Sequence, residues 1–137
     1  MVSIIIPCYN QAKYISDAIE SLKAQLYQEW ECIIINDGST DNSEDVILNC
    51  IKNDKRFKYI KQENLGPGAA RNNGAKLAKG EYMTMLDSDD IIGKDYLEKA
   101  VSYLDTHKDC VMYYGYIIHF DEKGNEHIFK PYCRFYW

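Results

Sequence analysis

The chain has 137 residues, a formal charge of −5 at pH 7, and 46% hydrophobic against 27% charged residues. That length suits one domain, and the composition excludes a disordered chain. The acidic balance excludes general nucleic-acid binding, which needs a basic surface, and no apolar run approaches the ~20 residues that span a bilayer. Met1 to Pro7 has no basic stretch ahead of its short apolar run, so it is not expected to be a secretory signal. The five cysteines are Cys8, Cys32, Cys50, Cys110 and Cys133. Their number is odd and no two form a CxxC pair, so they are expected to be reduced, mostly buried thiols of a cytoplasmic protein.

In chain order, Ser3 to Pro7 predicts a buried strand, because Ile4, Ile5 and Ile6 are consecutive and β-branched. After Asn10, a candidate N-cap, residues Ile15, Ala18, Ile19, Leu22 and Leu26 recur at helical spacing. Glu31 to Asn36 predicts a second buried strand around Ile33, Ile34 and Ile35. Asp37 to Ser43 is turn-rich, and Val46, Ile47, Cys50 and Ile51 mark a second helix capped by Asp41 or Ser43. Phe57 to Gln62 alternates as a half-exposed strand. Gly66-Pro67-Gly68 opens a third helix that runs through Leu77 and Ala78 and stops by Gly80. Its small-residue face allows close approach to a sheet.

Tyr82 to Leu86 predicts a fourth strand and Tyr96 to Leu104 a fourth helix. Val111 to Phe120 predicts a long strand, Asp121 to Asn125 a turn, and His127 to Phe129 the return of a hairpin. Strands alternating with helices imply an α/β fold, a mostly parallel sheet with helices on both faces. Ligands in such folds bind beyond the carboxyl ends of the strands. Three polar loops leave those ends: Pro7 to Asn10, Asn36 to Asp41, and Leu86 to Asp90.

Asp87-Ser88-Asp89-Asp90 is the most informative of them. An extended segment aims residues i and i+2 the same way, so Asp87 and Asp89 point two carboxylates at one spot. Such carboxylates repel unless a cation sits among them, and hard oxygen ligands suit Mg²⁺ or Mn²⁺. The alternative is that these acids cap the fourth helix. Asp37 can accept hydrogen bonds from a base or ribose, or can simply belong to a loop feeding a helix. Gly66-Pro67-Gly68-Ala69-Ala70-Arg71 offers a helix start for an anion with Arg71 in reach of a diphosphate, or a plain turn with a solvated arginine. Tyr9 and Asn10 can pack against a nucleoside, or serve as a turn with a cap. The histidines, His107, His119 and His127, lie outside these loops and read as surface or hairpin residues. Tyr113, Tyr114, Tyr116 and the tail Tyr132, Phe135, Tyr136 and Trp137 read as packing aromatics. A P-loop, a G-x-G-x-x-G after the first strand and a G-x-S-x-G elbow are all absent from the sequence.

Taken together, four stretches resemble the family 2 glycosyltransferases, which have a GT-A fold: Ser3 to Asn10, Ile35 to Asp41, Asn64 to Gly74, and Gly80-Glu81-Tyr82 leading into Leu86 to Asp90. The resemblance runs from about Val2 to Phe120. It implies an inverting, metal-dependent transferase that moves a sugar from a UDP-linked donor to a saccharide or lipid-linked acceptor, in bacterial polysaccharide biosynthesis. It further implies that Pro7, Tyr9 and Asn10 line the nucleoside pocket and that Asp37 binds the base. Arg71 would sit near the base or diphosphate, and Gly68, Asp87 and Ser88 would join the nucleotide site. Asp87 to Asp89 is similar to the family's DxD motif, with Asp89 the main ligand of Mg²⁺ or Mn²⁺, Asp87 a further ligand or ribose contact, and Asp90 more remote. The general base is expected beyond Trp137. Residues 1–137 are therefore expected to form a single nucleotide-sugar-binding domain that lacks the acceptor half, with the fold truncated after a C-terminal hairpin. An uncovered sheet edge would favour a homodimer, and the full-length enzyme could associate peripherally with a membrane.

Three rival readings remain at this level. A nucleotide-binding module without transfer keeps the same loops but gains little affinity from metal. A receiver-like signalling domain wants its paired acids after the first strand, where this chain has Pro7-Cys8-Tyr9-Asn10. A nucleotidyltransferase wants a basic glycine-rich loop there.

Overall fold

Isoleucine triplets build the centre of the sheet. Strand β1 (Val2–Cys8) is buried along its whole length, and β2 (Trp30–Asp37) is buried except at Glu31. Ile4, Ile5, Ile6, Ile33, Ile34 and Ile35 expose no surface, and each contributes roughly 2 kcal/mol by leaving water. Burial on both faces is what a parallel sheet covered by helices demands. The protein is described by a computed structural model over residues 1–115, 117–120, 123 and 125–129. Two units are distinguished, Met1–Lys99 and Ala100–Trp137.

In the first unit the sheet has four parallel strands in the order β3-β2-β1-β4, with β3 at Phe57–Gln62 and β4 at Tyr82–Met85. Helix α1 (Ile15–Lys23) joins β1 to β2, α2 (Ser43–Ile51) joins β2 to β3, and α3 (Pro67–Ala75) joins β3 to β4. The first two crossovers step in one direction and the third steps back past β1. Right-handed crossovers therefore place α1 and α2 on one face and α3 on the other. The contacts agree: α1 packs on α2, and α3 packs on β1 and β2. The point where the strand order reverses lies between β1 and β4.

Helix α3 approaches the sheet closely because Gly74 has no side chain. A Cβ there would stand 2.4 Å from Ile5 Cγ2. Ala70 is fully buried against Ile33 and Ile35. The expected extension of α3 to Ala78 is corrected: the helix stops at Ala75, and Leu77 and Ala78 donate back to Gly74 and Ala75 in a tighter last turn. Leu77 and Ala78 still pack against the same cluster.

The expected cap of α1 is also corrected. Asn10 has a φ of 53°, and the helix starts five residues after it, behind Tyr14, without a side-chain cap. Leu26 lies past the end of α1 and is exposed. The expected cap of α2 at Asp41 or Ser43 is corrected as well: the cap position is Asn42, which makes no side-chain cap hydrogen bond, while just ahead of it Asp41 Oδ1 accepts from the Ser43 N–H at 3.0 Å and from the Ser43 hydroxyl at 2.5 Å.

Helix α4 (Tyr96–Thr106) begins six residues after Asp90. Its second residue, Leu97, donates its N–H to Gln25 Oε1, and Gln25 Nε2 donates to the Gly93 carbonyl. A buried glutamine thus links this helix start to the loop ahead of it.

In the second unit, β5 (Ile117–Phe120) pairs antiparallel with β6 (Glu126–Phe129) in a separate two-stranded sheet. This corrects the expected long strand from Val111, and the implied fifth member of the parallel sheet. Among the described residues, 111–115 form no strand, and Val111 is 89% exposed. A strand exists only where another supplies its hydrogen bonds. His119 and His127 stand opposite each other in the hairpin and are exposed. Within this unit Tyr103 stacks on His107 and lies near Tyr113. Tyr116, most of the expected turn (Asp121, Glu122 and Gly124) and the tail from Lys130, Cys133 included, lie outside the described residues. Cys8, Cys32, Cys50 and Cys110 are free thiols. Among the described residues no helix is long and apolar enough to cross a membrane.

Candidate functional site

A cleft of about 250 Å³ opens where the strand order reverses. It lies at the carboxyl ends of the strands, as expected for an open α/β sheet. The end of β1 supplies Pro7, Cys8 and Tyr9, with Gln11 just beyond; the end of β2 supplies Asp37. The first turns of α3 supply Pro67, Ala70 and Arg71, and the loop after β4 supplies Asp87, Ser88 and Asp89. Seven residues singled out in the sequence thus meet here: Pro7, Tyr9, Asp37, Arg71, Asp87, Ser88 and Asp89. Asn10, Gly68 and Asp90 are not among the lining residues.

The acidic loop is a turn, not an extended segment. Leu86 continues the ladder by donating its N–H to the Ile5 carbonyl, and the Asp90 N–H then donates to the Asp87 carbonyl at 3.0 Å. The turn, rather than strand alternation, brings Asp87 and Asp89 to the same cleft. The Arg71 guanidinium donates to Asp87 Oδ1 at 2.5 Å, and both side chains are part-exposed. Among the described residues the Asp89 side chain has no ion-pair or hydrogen-bond partner. Helix α4 starts six residues after Asp90 and has Gln25 on its first turn, and Asp87 pairs with Arg71.

Asp37 is 2% exposed and fully engaged. Its Oδ1 accepts from Gln62 Nε2 at 2.7 Å and from the Leu65 N–H at 3.0 Å, and its Oδ2 accepts from the Gly66 N–H at 2.9 Å. The loop into α3 is therefore built on this carboxylate. Gly38 follows with a φ of 73°, and a Cβ there would sit 2.9 Å from the Asn64 nitrogen, so the chain can turn here only with glycine.

Asn10 works on the neighbouring loop. Its Oδ1 accepts from the Thr40 N–H at 2.7 Å and the Asp41 N–H at 3.3 Å, while its own N–H donates to Ser39 Oγ. An asparagine tolerates the left-handed backbone this needs. Burial weighs against the Asp41 carboxylate, but the hydrogen bonds from Ser43 and from the Ala12 N–H outweigh it and hold the group below its ordinary range. Burial pushes the Cys8 thiol up, which keeps that wall of the cleft neutral. Sequence reasoning missed Cys8, Gln11, Pro67 and Ala70 as lining residues; only the small-residue start of α3 hinted at the last two.

The donor set can be tested for a cation. No group of three or more His, Cys, Asp or Glu side chains stands ready to hold a metal among the described residues. Two carboxylates at an open cleft nonetheless suit Mg²⁺ or Mn²⁺, which usually take one or two carboxylates and complete their shell with water and substrate phosphate oxygens. The site fits on that condition, with Asp89 unencumbered and Asp87 shared with Arg71.

Comparison with known proteins points the same way. The model of the family described as "Glycosyl transferase family 2" matches residues 3–136. An uncharacterized glycosyltransferase of Haemophilus influenzae is 44% identical over 92% of this chain and 50% of its own length. The putative glycosyltransferase EpsH of Bacillus subtilis is 42% identical over 90% of this chain and 36% of its own. The chain thus spans half or less of the length of these relatives. Among solved structures, S. aureus TarS 1-349 in complex with UDP-GlcNAc is 36% identical with a TM-score of 0.73, covering 78% of this chain and 32% of that one. The mannosyltransferase PcManGT from Pyrobaculum calidifontis, in complex with GDP-Man and Mn2+, is 25% identical with a TM-score of 0.70, covering 75% and 32%. With a parallel sheet, a switch-point cleft and a family match over nearly its whole length, this chain belongs to the family 2 glycosyltransferases.

Proposed function

We propose that this chain binds the nucleotide of a UDP-sugar for an inverting, metal-dependent transfer to a saccharide or lipid-linked acceptor in bacterial polysaccharide assembly. One observation carries the reading: the switch-point cleft gathers Arg71, Asp87, Ser88 and Asp89 together with Tyr9 and Asp37. TarS in complex with UDP-GlcNAc or UDP supports a uridine donor, and the Mn2+ complex of the mannosyltransferase supports a divalent cation.

In this reading Pro7 and the half-exposed Tyr9 ring flank the nucleoside, and Asp37 borders the base. Arg71 turns from Asp87 toward the diphosphate, where its fork of donors meets phosphate oxygens. Asp89 and Asp87 would hold Mg²⁺ or Mn²⁺. When bound, that cation neutralises the charge that develops on the departing diphosphate. Inversion further needs a carboxylate to take the proton of the acceptor hydroxyl from the opposite face. We assign that base to the part of the full-length relatives that this chain does not span. The chain alone therefore binds donor without efficient transfer.

A thermal-shift and calorimetric titration with UDP-GlcNAc and Mn²⁺ tests the reading. Saturation near 100 times Kd should stabilise the fold by about 2.7 kcal/mol. Asp89→Ala should abolish the metal-dependent part of that gain and leave the unliganded melting temperature nearly unchanged. Unaltered metal-dependent stabilisation would remove Asp89 from the site, and rapid sugar transfer by the isolated chain would refute the missing base.

A further inference from the structure

We propose that Gln62 is a positioning residue that, acting between Asp37 and Asn73, seats α3 and so places Arg71 in the donor cleft. The proposal rests on the donor-binding reading above. Gln62 does not line the cleft, and nothing in the site's chemistry uses it directly.

Gln62 at the end of β3 stands in register with Asp37 at the end of β2. Registered neighbours on adjacent strands share a face of the sheet. Gln62 Nε2 donates to Asp37 Oδ1 at 2.7 Å, and Gln62 Oε1 accepts from Asn73 Nδ2 at 2.8 Å. The chemistry fixes this direction. A carboxylate only accepts, so the amide must turn its NH₂ toward Asp37 and leave its oxygen for Asn73. Asp37 also accepts from the N–H groups of Leu65 and Gly66, just ahead of α3. The helix is thus tied at its entrance by Asp37 and in its body by Asn73. Between these ties lie Pro67, Ala70 and Arg71, its cleft-lining residues.

The need for such a clasp follows from the sequence of α3. The only buried residues of the helix are Ala70 and Gly74. Two small residues permit close approach but provide no large side chain to lock into a groove, so apolar packing sets the height of α3 above the sheet more firmly than its sideways position. Directional hydrogen bonds through Gln62 supply the lateral constraint.

The test exploits the donor–acceptor pattern. In Gln62→Glu the new carboxylate faces Asp37. The other charged groups to be counted are Arg71 on α3, which pairs with Asp87, and Lys61 on the opposite face of β3, which pairs with Glu44; Glu63 follows in the chain. At about pH 7.5 an ionised carboxyl at this position can no longer donate to Asp37, and the clasp opens. Near pH ~5 the added proton, favoured by Asp37, restores a group that donates to Asp37 and accepts from Asn73. With Mn²⁺ held constant, the variant should bind UDP-GlcNAc about tenfold more weakly than wild type at the higher pH, the change expected for losing a hydrogen bond to a charged group. That deficit should shrink to within about threefold at the lower pH.

Gln62→Met, which keeps the length but neither hydrogen bond, should be about tenfold weaker at both. A Gln62→Glu deficit that does not follow the proton, or wild-type binding by both variants, would overturn the proposal. Hydrogen exchange of the Gly66 to Arg71 amides without nucleotide gives an independent readout. These amides should exchange faster than wild type in Gln62→Glu at the higher pH and recover at the lower; unchanged exchange would also overturn the clasp. Should wild type bind no UDP-GlcNAc, the donor reading fails, while the exchange data still decide on the clasp.

Discussion

The two ends of the parallel sheet use similar side chains to opposite effect. At the amino ends, Ser3 Oγ donates to Glu31 Oε1 at 2.6 Å and accepts from the Gly80 N–H at 2.8 Å, while the Lys79 N–H donates to the same Glu31 oxygen at 2.7 Å. Nearby, Asp54 takes the Arg56 guanidinium through both Nε and Nη2, and that guanidinium lies 3.9 Å from the centre of the Trp30 ring. These donors and acceptors close on one another, although Trp30 Nε1, at the same end, is buried without a hydrogen-bond partner among the described residues. At the carboxyl ends an arginine and an aspartate also pair, as Arg71 and Asp87, but in a cleft wall and part-exposed, with Asp89 beside them unpaired among the described residues. A polar group satisfied within the protein stabilises it. On the proposed reading, one satisfied only in part within the protein is left open to a ligand.

Substitutions at each end can break or sharpen this contrast. The largest effect is expected for Asp37→Ala, which strips an acceptor from Gln62 Nε2 and from the N–H groups of Leu65 and Gly66. Urea denaturation should show a loss of about 3 kcal/mol, and UDP-GlcNAc affinity should fall at least about tenfold. Stability lost with affinity intact would separate this carboxylate from the site. A smaller effect is expected for Ser3→Ala, which leaves the Gly80 N–H without its acceptor. That should cost about 1–2 kcal/mol and leave the nucleotide Kd unchanged, and a weakened Kd would mean that the two ends are not independent. The smallest is a pH effect. Hydrogen bonding from Arg56 holds the Asp54 carboxyl below its ordinary value of 3.8, although burial opposes this. A lowered folded-state value contributes stability that is present above pH 3.8 and lost as the pH falls through the folded value. The urea midpoint of wild type should drop in that acid range, and Asp54→Asn should flatten the drop.

What was legible in the sequence follows from the range of the interactions. β1 and β2 were readable because the runs Ile4 to Ile6 and Ile33 to Ile35 declare burial on both faces within a few residues, and β3 because its residues alternate. The approach of α3 was readable from its small residues, and the cleft from the rule that ligands sit beyond strand ends. The misses share a cause. Asn10 looked like the cap of the helix that follows it, but its partners are Thr40 and Asp41, some thirty residues on. Gln25 caps α4 from 72 positions away. Gln62 and Asn73 look like ordinary polar residues until the register with Asp37 is known. Residues 111–115 carry a strand-like pattern, but they form no strand among the described residues. Local patterns encode burial, whereas polar pairings between distant loops depend on the finished topology.

The placement of β1 bears on how the chain is made. This strand is the middle of the sheet, yet Val2 pairs with Trp30 on one side and with Tyr82 on the other. On a ribosome the second of these partners emerges 80 residues after β1, a delay of roughly four to sixteen seconds at ordinary elongation speed. During that interval the most apolar strand of the nascent chain has one naked edge, so this is the window in which a chaperone would matter most.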